Sequence, residues 1–546
     1  MRADPPVEWG GRRCQASERD TPLTVSPGER WQHVWQNISA QQGKSALATT
    51  AGNRMDNGEP ARASAGRSRW RMGPYYRRSR VMPTEGRGPD LRRARQVMRP
   101  RRLAKSLTTP LERVQKLQTS LQAKAKAEPA LRFYSLWDKV CRADVLEEAY
   151  RACRRNDGAP GCDRETFDQI TTHGQDRWLG ELRQELLTGD YRPRPLLRVW
   201  IPKSNGGQRP LGIPCIRDRV VEMAALLVLG PIFEADLLRN QYGFRPGMDA
   251  KMGVRQAFWH VSDHGRSEVV DADLSDYFSS IPHGPLMRCV SRRVADGTLL
   301  SVIKLWLTAP VIERDQRATR CTTEAKDRHR GTPQGSPISP LLANLYFRRF
   351  LLAWERFGHR ERLDAYVVNY ADDLVICCRP GNGPEALATM RQLMTRLGLT
   401  VNETKTRLVR LPAESFDFLG YSIGRFFGKD GAPYVGTRPS RKAVRRLLRQ
   451  IHDATTPHKH AESPEQRVAA INRLLRGWAE YFNQGPVLPT YRVVRWYVQR
   501  RLQRWLVRRG GQAGTGYRQY PDEYLYQTLG LFALPSRRSD LPSAKA

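Results

Sequence analysis

Val367-Val-Asn-Tyr-Ala-Asp-Asp-Leu-Val-Ile-Cys-Cys378 sets two adjacent carboxylates, Asp372 and Asp373, between two short apolar, β-prone runs. The pattern predicts a β-hairpin with the acids in its turn. Neighbouring carboxylates repel, and holding both in a tight turn between apolar strands costs free energy. A divalent cation relieves that cost. Magnesium in particular takes hard oxygen ligands, usually one or two carboxylates plus phosphate oxygens. Aspartate is also a common turn residue, so an ordinary solvated Asp-Asp turn accounts for this stretch equally well when it is taken alone.

A second stretch separates the two readings. Glu268-Val-Val-Asp-Ala-Asp-Leu-Ser-Asp-Tyr-Phe-Ser-Ser-Ile-Pro282 is another apolar-acidic strand, ending in aromatics. A carboxylate at Asp273 could face the Asp372 and Asp373 turn from a neighbouring strand, with Asp271 and Asp276 as competing acids. Three carboxylates on two strands can hold two metal ions, which together activate a 3′-hydroxyl and stabilise a leaving pyrophosphate in an in-line displacement. At this point the sequence resembles the palm of a reverse transcriptase. Tyr370-Ala-Asp-Asp373 looks like that family's catalytic box, and Asp273 matches its first catalytic aspartate. The family spacing, a catalytic Asp with an aromatic five residues later, selects Asp273 and Phe278. A ring at Phe278 could pack under the sugar and exclude a 2′-hydroxyl, a repulsive device for selecting deoxynucleotides. In the plain alternative, Tyr277 and Phe278 merely open the next helix.

The flanking motifs narrow the resemblance to the group II intron-encoded reverse transcriptases, or maturases. Arg198-Val-Trp-Ile-Pro-Lys-Ser-Asn-Gly-Gly-Gln-Arg-Pro-Leu-Gly-Ile-Pro214 predicts a hairpin with an Asn205-Gly206 turn. Lys203 and Arg209 flank that turn, and the matching basic residues of the family meet the incoming triphosphate, where developing negative charge needs fixed positive charge. Gln241-Tyr-Gly-Phe-Arg-Pro-Gly247 resembles a family box whose glycines allow close backbone approach to template or nucleotide, with Arg245 offered as a phosphate contact. A conformationally demanding turn is the bland account of it. Arg328-His-Arg-Gly-Thr-Pro-Gln-Gly-Ser-Pro-Ile-Ser-Pro-Leu-Leu-Ala-Asn-Leu-Tyr346 looks like the family's Gly-Thr-Pro-Gln-Gly loop leading into a helix, and Gln334 could line the nascent base pair. Ser336 stands where many members carry a second glycine. In Gly398-Leu-Thr-Val-Asn-Glu-Thr-Lys-Thr-Arg407, Lys405 occupies the family's Lys-Thr position, which suits protonation of pyrophosphate or anchoring of the primer; a surface lysine is the common case. Phe416-Asp-Phe-Leu-Gly-Tyr-Ser-Ile423 alternates like one strand and resembles the primer grip.

Composition agrees with nucleic acid as the partner. Lys plus Arg number 91 against 55 Asp plus Glu, a net charge of +36 over 546 residues. Arg dominates the excess, and its planar fork suits phosphate and base stacking. A membrane surface is the alternative for so basic a chain, but no run of about 18 apolar residues occurs and no signal-peptide core follows the start. The nine cysteines form no Cys-x-x-Cys pair, which argues against a zinc module or disulfide scaffold and fits a reducing cytosol. Cys377 and Cys378 read as small core residues.

The expected architecture is α+β: a right-hand polymerase with antiparallel sheets, followed by an α-helical thumb. Residues 1–105 read as a basic, disordered extension, either an RNA-contacting arm, a solvated tail, or an over-long reading frame beginning in truth at a methionine such as Met98. A transit peptide also fits that Arg-rich stretch. Residues 106–425 read as fingers and palm, and 426–546 as the thumb, or maturase domain X, with its tail. Order is expected from a helix capped by Thr109 with Pro110 at its first position, then helices over residues 136–153, 178–187 and 384–397. Three further helices, over 438–450, 467–482 and 491–508, carry aromatics on one side and arginines on the other, a plausible track for duplex or intron RNA. No Cys-x-x-Cys or His-Asn-His pattern follows Gly511, so no endonuclease domain is expected, and the DNA primer would come from elsewhere, such as a replication fork.

The resemblance implies an RNA-directed DNA polymerase using two Mg2+ ions on Asp273, Asp372 and Asp373, with Lys203, Arg209, Phe278, Gln334 and Lys405 binding the nucleotide. Its partners would be group II intron RNA, a DNA target or primer, and deoxynucleoside triphosphates, in the bacterial cytosol and without a membrane. Two other classes remain at this level. One is an RNA-binding splicing cofactor with a dispensable polymerase; the other is a cellular reverse transcriptase of a defence or diversification system.

Overall fold

The computed structural model describes residues 109–202, 207–314, 319–428, 430–456 and 462–537. Lys203, the Asn205-Gly206 turn and the basic extension lie outside them. Helix α1 (Pro110–Ala127) begins with a reciprocal capping box between Thr109 and Glu112, so the first backbone N–H groups are satisfied locally. The helix expected over residues 136–153 is two pieces, α2 (Trp137–Val140) and α3 (Ala143–Arg155), with Arg142 extended between them. The Asp296 carboxylate accepts the backbone N–H groups of Leu136 and Trp137 at 2.8 Å each, and so fixes the start of α2 from a distant loop. Helix α4 (Ile216–Glu234) is buried along nearly its whole length and forms the axis of the largest core. A helix apolar on all sides belongs in a core.

Strands β1 (Leu196–Pro202) and β2 (Gln208–Ile213) pair antiparallel. Helix α5 (Ala250–Ser262) follows, and then β3 (Glu268–Asp273) and helix α6 (His283–Ser291). Strands β4 (Val311–Arg314) and β5 (Thr319–Thr322) extend the first hairpin into a sheet of order β2-β1-β4-β5, with β1 and β4 parallel. Helix α7 (Ser339–Arg356) leads to the acid hairpin, β6 (Ala365–Tyr370) and β7 (Asp373–Cys378). Helix α8 (Gly383–Arg396) and β8 (Arg407–Arg410) complete a second sheet, antiparallel throughout, of order β6-β7-β3-β8.

Both faces of this second sheet are covered, which explains the continuous apolar runs. Val270, Ala272, Leu374, Ile376 and Cys378 point into the large helical core. Val269, Val368, Val375, Cys377 and Val409 point into a second cluster on the other face. Cys377 and Cys378 are both fully buried, one in each cluster.

The stretch read as one strand over residues 416–423 is a hairpin. β9 (Ser415–Phe418) and β10 (Tyr421–Phe427) turn back on each other through Leu419 and Gly420, both with positive φ. Successive positive φ values make the tight turn whose twist suits a hairpin. β11 (Pro433–Pro439) completes this third sheet. Helices α9 (Arg441–Ala454), α10 (Pro464–Tyr481) and α11 (Leu488–Arg509) then pack around Leu447, Ile471, Leu475, Val494 and Trp505. Leu525, Leu531 and Leu534 of the tail enter the same cluster, and Asn472 of α10 bonds the backbone of Gly530 and Phe532.

Arg245 does not offer a phosphate contact. It is buried, pairs with both oxygens of Glu234 at 2.6–3.2 Å, and donates to the carbonyls of Leu238 and Gln241 at 2.6 Å. A buried guanidinium needs every donor matched, and this one closes the loop after α4. Glu234→Ala therefore strands a buried charge and is expected to lower the unfolding free energy by about 3–5 kcal/mol, read from denaturant or thermal melts.

Candidate active site

The register of the second sheet brings the predicted acids together. Asp273 at the end of β3 lies directly opposite Asp373 at the start of β7. Tyr370 and Asp373 close the β6–β7 hairpin as a pair, leaving Ala371 and Asp372 as its two-residue turn, with φ of +57° at Ala371. Asn369, fully buried, donates from its amide to the carbonyl of Ala371 at 2.8 Å and to that of Asp373 at 3.3 Å, bracing the turn from behind.

Backbone approach is closest behind the turn. A Cβ on Gly243 would stand 2.5 Å from the Ala371 nitrogen, so the glycine of the Tyr-Gly-Phe-Arg box serves the acid turn, in place of the template or nucleotide expected from sequence. The segment is stitched to β6 by hydrogen bonds from Tyr242 N to Asn369 O (2.8 Å) and Asn369 N to Asn240 O (3.0 Å). Asn344 of α7 donates to the Gly243 carbonyl at 2.7 Å, and the Gln241 amide donates to the Asn344 carbonyl at 3.1 Å.

Charge in the cleft is crowded and only partly balanced. Asp271 faces Arg407 at 3.4 Å, which occupies this competing acid; Asp276 is exposed beyond the strand. Asp273 accepts from Lys405 Nζ at 2.9 Å and from Asn402 Nδ2 at 3.0 Å. Asn402 also donates from its backbone N–H to the Asp273 carbonyl at 2.8 Å. The enclosing walls, and then the charges of Asp372, Asp273 and Asp271, hold the Asp373 carboxyl well above the usual carboxylate range. The residue also opens to solvent at the start of β7. Asp372 is raised mainly by its enclosure and partly by Asp273, while Arg209 and Lys405 pull it down. Arg209 itself is exposed on β2 and makes no ion pair among the described residues.

The other predicted residues line the approach. Phe278 is half-buried and meets the ring of Phe244 edge-on at 6.5 Å, and Phe244 in turn meets Tyr370 at 6.3 Å. The Phe278 carbonyl accepts from Thr332 N at 2.8 Å, tying the aromatic to the Gly-Thr-Pro-Gln-Gly loop. Gln334 is anchored by its carbonyl to Gly212 N of β2 at 2.8 Å, and its half-buried side chain makes no hydrogen bond among the described residues. Gly335, at φ +120°, leaves no room for a Cβ against the Gly212 carbonyl, 2.6 Å away.

Lys203 falls outside the described residues, so of the two basic residues expected beside the Asn205-Gly206 turn only Arg209 is seen near the acids. Two supporting residues were missed from sequence. Asn402, in the Val-Asn-Glu-Thr-Lys run, orients the first aspartate. Glu222, a lone acid in the apolar α4 run, accepts from Ser336 Oγ at 2.5 Å beneath the loop; a carboxylate inside such a run was the available signal.

As they stand, no three His, Cys, Asp or Glu side chains among the described residues are gathered tightly enough to enclose an ion. The donor set is nonetheless hard-oxygen and mutually repelling, as magnesium requires. Asp273 is meanwhile neutralised by Lys405.

Residues 201–423 match the family of reverse transcriptases (RNA-dependent DNA polymerases), and residues 444–520 match the group II intron maturase-specific domain. The chain is 32% identical over 369 residues to protein YkfC of Escherichia coli, an alignment covering 60% of this chain and 93% of that protein. The chain belongs to the group II intron-encoded reverse transcriptases. It is also 27% identical over 244 residues to the group II intron-encoded protein LtrA of Lactococcus lactis, covering 44% of this chain and 39% of LtrA. A 91 kDa protein in a cob intron of Schizosaccharomyces pombe is 25% identical over 345 residues, 52% of this chain and 41% of that protein. As a reverse transcriptase of this family, the chain carries an RNA-directed DNA polymerase, and the acid hairpin of β6 and β7 falls inside the matched polymerase segment.

Glu222 gives a pH test of the loop's support. Burial pushes its carboxyl up to about 8, against the Ser336 hydrogen bond, so the folded chain holds it protonated where the unfolded chain, at the ordinary 4.5, does not. Stability from this group is complete below pH 4.5 and is lost as pH rises towards 8. Glu222→Gln removes that loss. The melting temperature of the variant relative to wild type should rise between pH 5 and pH 8 and level off above it.

Proposed function

We propose that the chain copies intron RNA into DNA through a right-hand polymerase fold, with residues 106–425 as fingers and palm and residues 426–546 as the helical thumb and maturase domain. The observation that carries this reading is the cross-strand pairing of Asp273 with Asp373, next to Asp372 in the turn. These three carboxylates would hold two Mg2+ ions. The bound ions would supply activation of the primer 3′-hydroxyl and neutralisation of charge on the phosphates.

The chain's own residues do the rest. Arg209, together with Lys203, steadies the triphosphate by fixed positive charge. Phe278 lies under the sugar and rejects a 2′-hydroxyl by steric conflict, held in place by Phe244 and the Thr332 hydrogen bond. Gln334 lines the nascent pair. Lys405 neutralises Asp273, and once released its Nζ can give a proton to the departing pyrophosphate. The bond formed joins the primer 3′-oxygen to the α-phosphorus, and the bond broken frees pyrophosphate.

The maturase-specific match supports a second role for the same chain, binding the intron RNA to assist its splicing and then its insertion into a DNA target, with the primer coming from elsewhere, such as a replication fork. We place this work in the cytosol; no described helix is long and apolar enough to cross a membrane.

Primer extension on an RNA template with magnesium and deoxynucleotides tests the polymerase. Wild type should extend, and Asp372→Ala should lose at least about a thousandfold of that rate, consistent with charge-stabilisation losses at catalytic centres. Both should promote splicing of the flanking intron RNA in parallel reactions. A wild type that splices but extends no primed template would make the chain an RNA-binding cofactor on a polymerase scaffold. Phe278→Ala should leave deoxynucleotide incorporation within severalfold of wild type. Its ribonucleotide incorporation should rise about ten- to a hundredfold, as removal of one steric barrier worth about 1.4–2.7 kcal/mol allows.

A further inference from the structure

On another part of the molecule, helices α6 and α7 enclose a cleft of about 280 Å³ floored by Phe233 and Leu345 and ringed by Arg288, Arg292, Arg348 and Arg349. None of the three aspartates, Arg209 or Gln334 lines it. Arg288 and Arg292 stand one helical turn apart at the end of α6, both exposed, and neither side chain has a carboxylate or hydrogen-bond partner among the described residues. The one acid in the lining, Asp236, is already spent: its carboxylate takes two bonds from Arg293 at 2.9 Å, and its carbonyl accepts from Arg348 at 2.6 Å. Arg349 lies over the Tyr346 ring, 5.3 Å from its centroid, so its guanidinium is held at the rim.

Some other surface arginines are matched by acids, as in Arg360–Glu355 and Arg391–Glu403; around this cleft the single acid is already taken. Four guanidiniums around one open cleft repel each other, and a fold keeps such an arrangement when an anion completes it. Cys289, inside the ring, records the convergence: burial raises its thiol, and all four arginines oppose that rise. The planar fork of arginine matches phosphate oxygens two at a time, and four forks across two helices match successive phosphates along a strand better than one isolated anion.

We propose that this cleft grips the phosphodiester backbone of RNA, as a binding surface separate from the polymerase cleft. The choice of RNA among polyanions rests on the reverse-transcriptase reading above.

The test compares wild type with the exposed double variant Arg288→Gln/Arg292→Gln, by fluorescence anisotropy of a labelled RNA stem-loop and of a DNA stem-loop of the same sequence. The double variant should bind the RNA about tenfold more weakly near 100 mM salt. Its plot of log affinity against log salt should be shallower by about two, for two lost phosphate contacts. Single-nucleotide extension of a short primer–template at saturating concentration should keep the wild-type rate. The RNA should also protect Cys289 from maleimide in wild type, scored on its own peptide by mass spectrometry, and give no protection in the variant. Unchanged affinity and salt slope would overturn the proposal. So would protection of Cys289 by millimolar inorganic phosphate but not by RNA, or a loss confined to the DNA stem-loop. Failure of the polymerase reading would show separately, as a wild type that extends nothing.

Discussion

The repulsion among Asp273, Asp372 and Asp373 is the constraint to which the rest of the molecule answers. Left to themselves, three carboxylates at one sheet end would pull their strands apart or take up protons. They are kept in register because the sheet that bears them is buried on both sides, Val270 and Ile376 in one core and Val269 and Val375 in the other. In such a sheet a slip of one residue would move every side chain to the opposite face, unseat both packed clusters and carry Asp273 out of line with Asp373, so packing on both faces enforces their pairing. The crowded acids and the two cores are thus one design, with stability concentrated around the place that consumes it.

The same logic extends through side-chain amides. Asn369 holds the turn, Asn344 holds Gly243 behind the turn, and Asn402 holds Asp273. Each is short, fixed in orientation and uncharged, so it can brace acids without titrating with them. Lys405 differs, being a mobile counter-charge on the same carboxylate that Asn402 orients. Orientation and neutralisation are thereby divided between two residues three positions apart.

Much of this was legible in the sequence because the informative residues carry local chemistry. The acid hairpin, the cap at Thr109 and Pro110, and the helices of the C-terminal segment each follow from turn, cap or periodicity signals that do not depend on distant partners. What was misread depends on tertiary partners. Arg245 looked like a free cation, and only Glu234, eleven positions earlier, reveals it as a buried clasp. Residues 416–423 alternate so regularly that the reversal at Leu419 and Gly420 was hidden, although the glycine marked the place. The start of the short helix at Trp137 is set by Asp296, some 160 positions away, which no local pattern around residue 137 could announce. Ser336 stands where many family members carry a glycine, and only the fold shows that its hydroxyl satisfies the buried carboxyl of Glu222 in the core.

Gly243 lies against the backbone of the acid turn with no space for even a methyl group, while its carbonyl takes the Asn344 amide. Any side chain there would push on the backbone of the turn that presents Asp372. Variation at this position is consequently all or nothing. A lineage, or a laboratory library seeking altered copying behaviour, can explore Phe278 or Gln334 by degrees, but it meets a wall at Gly243, where no gradual path between residue types exists.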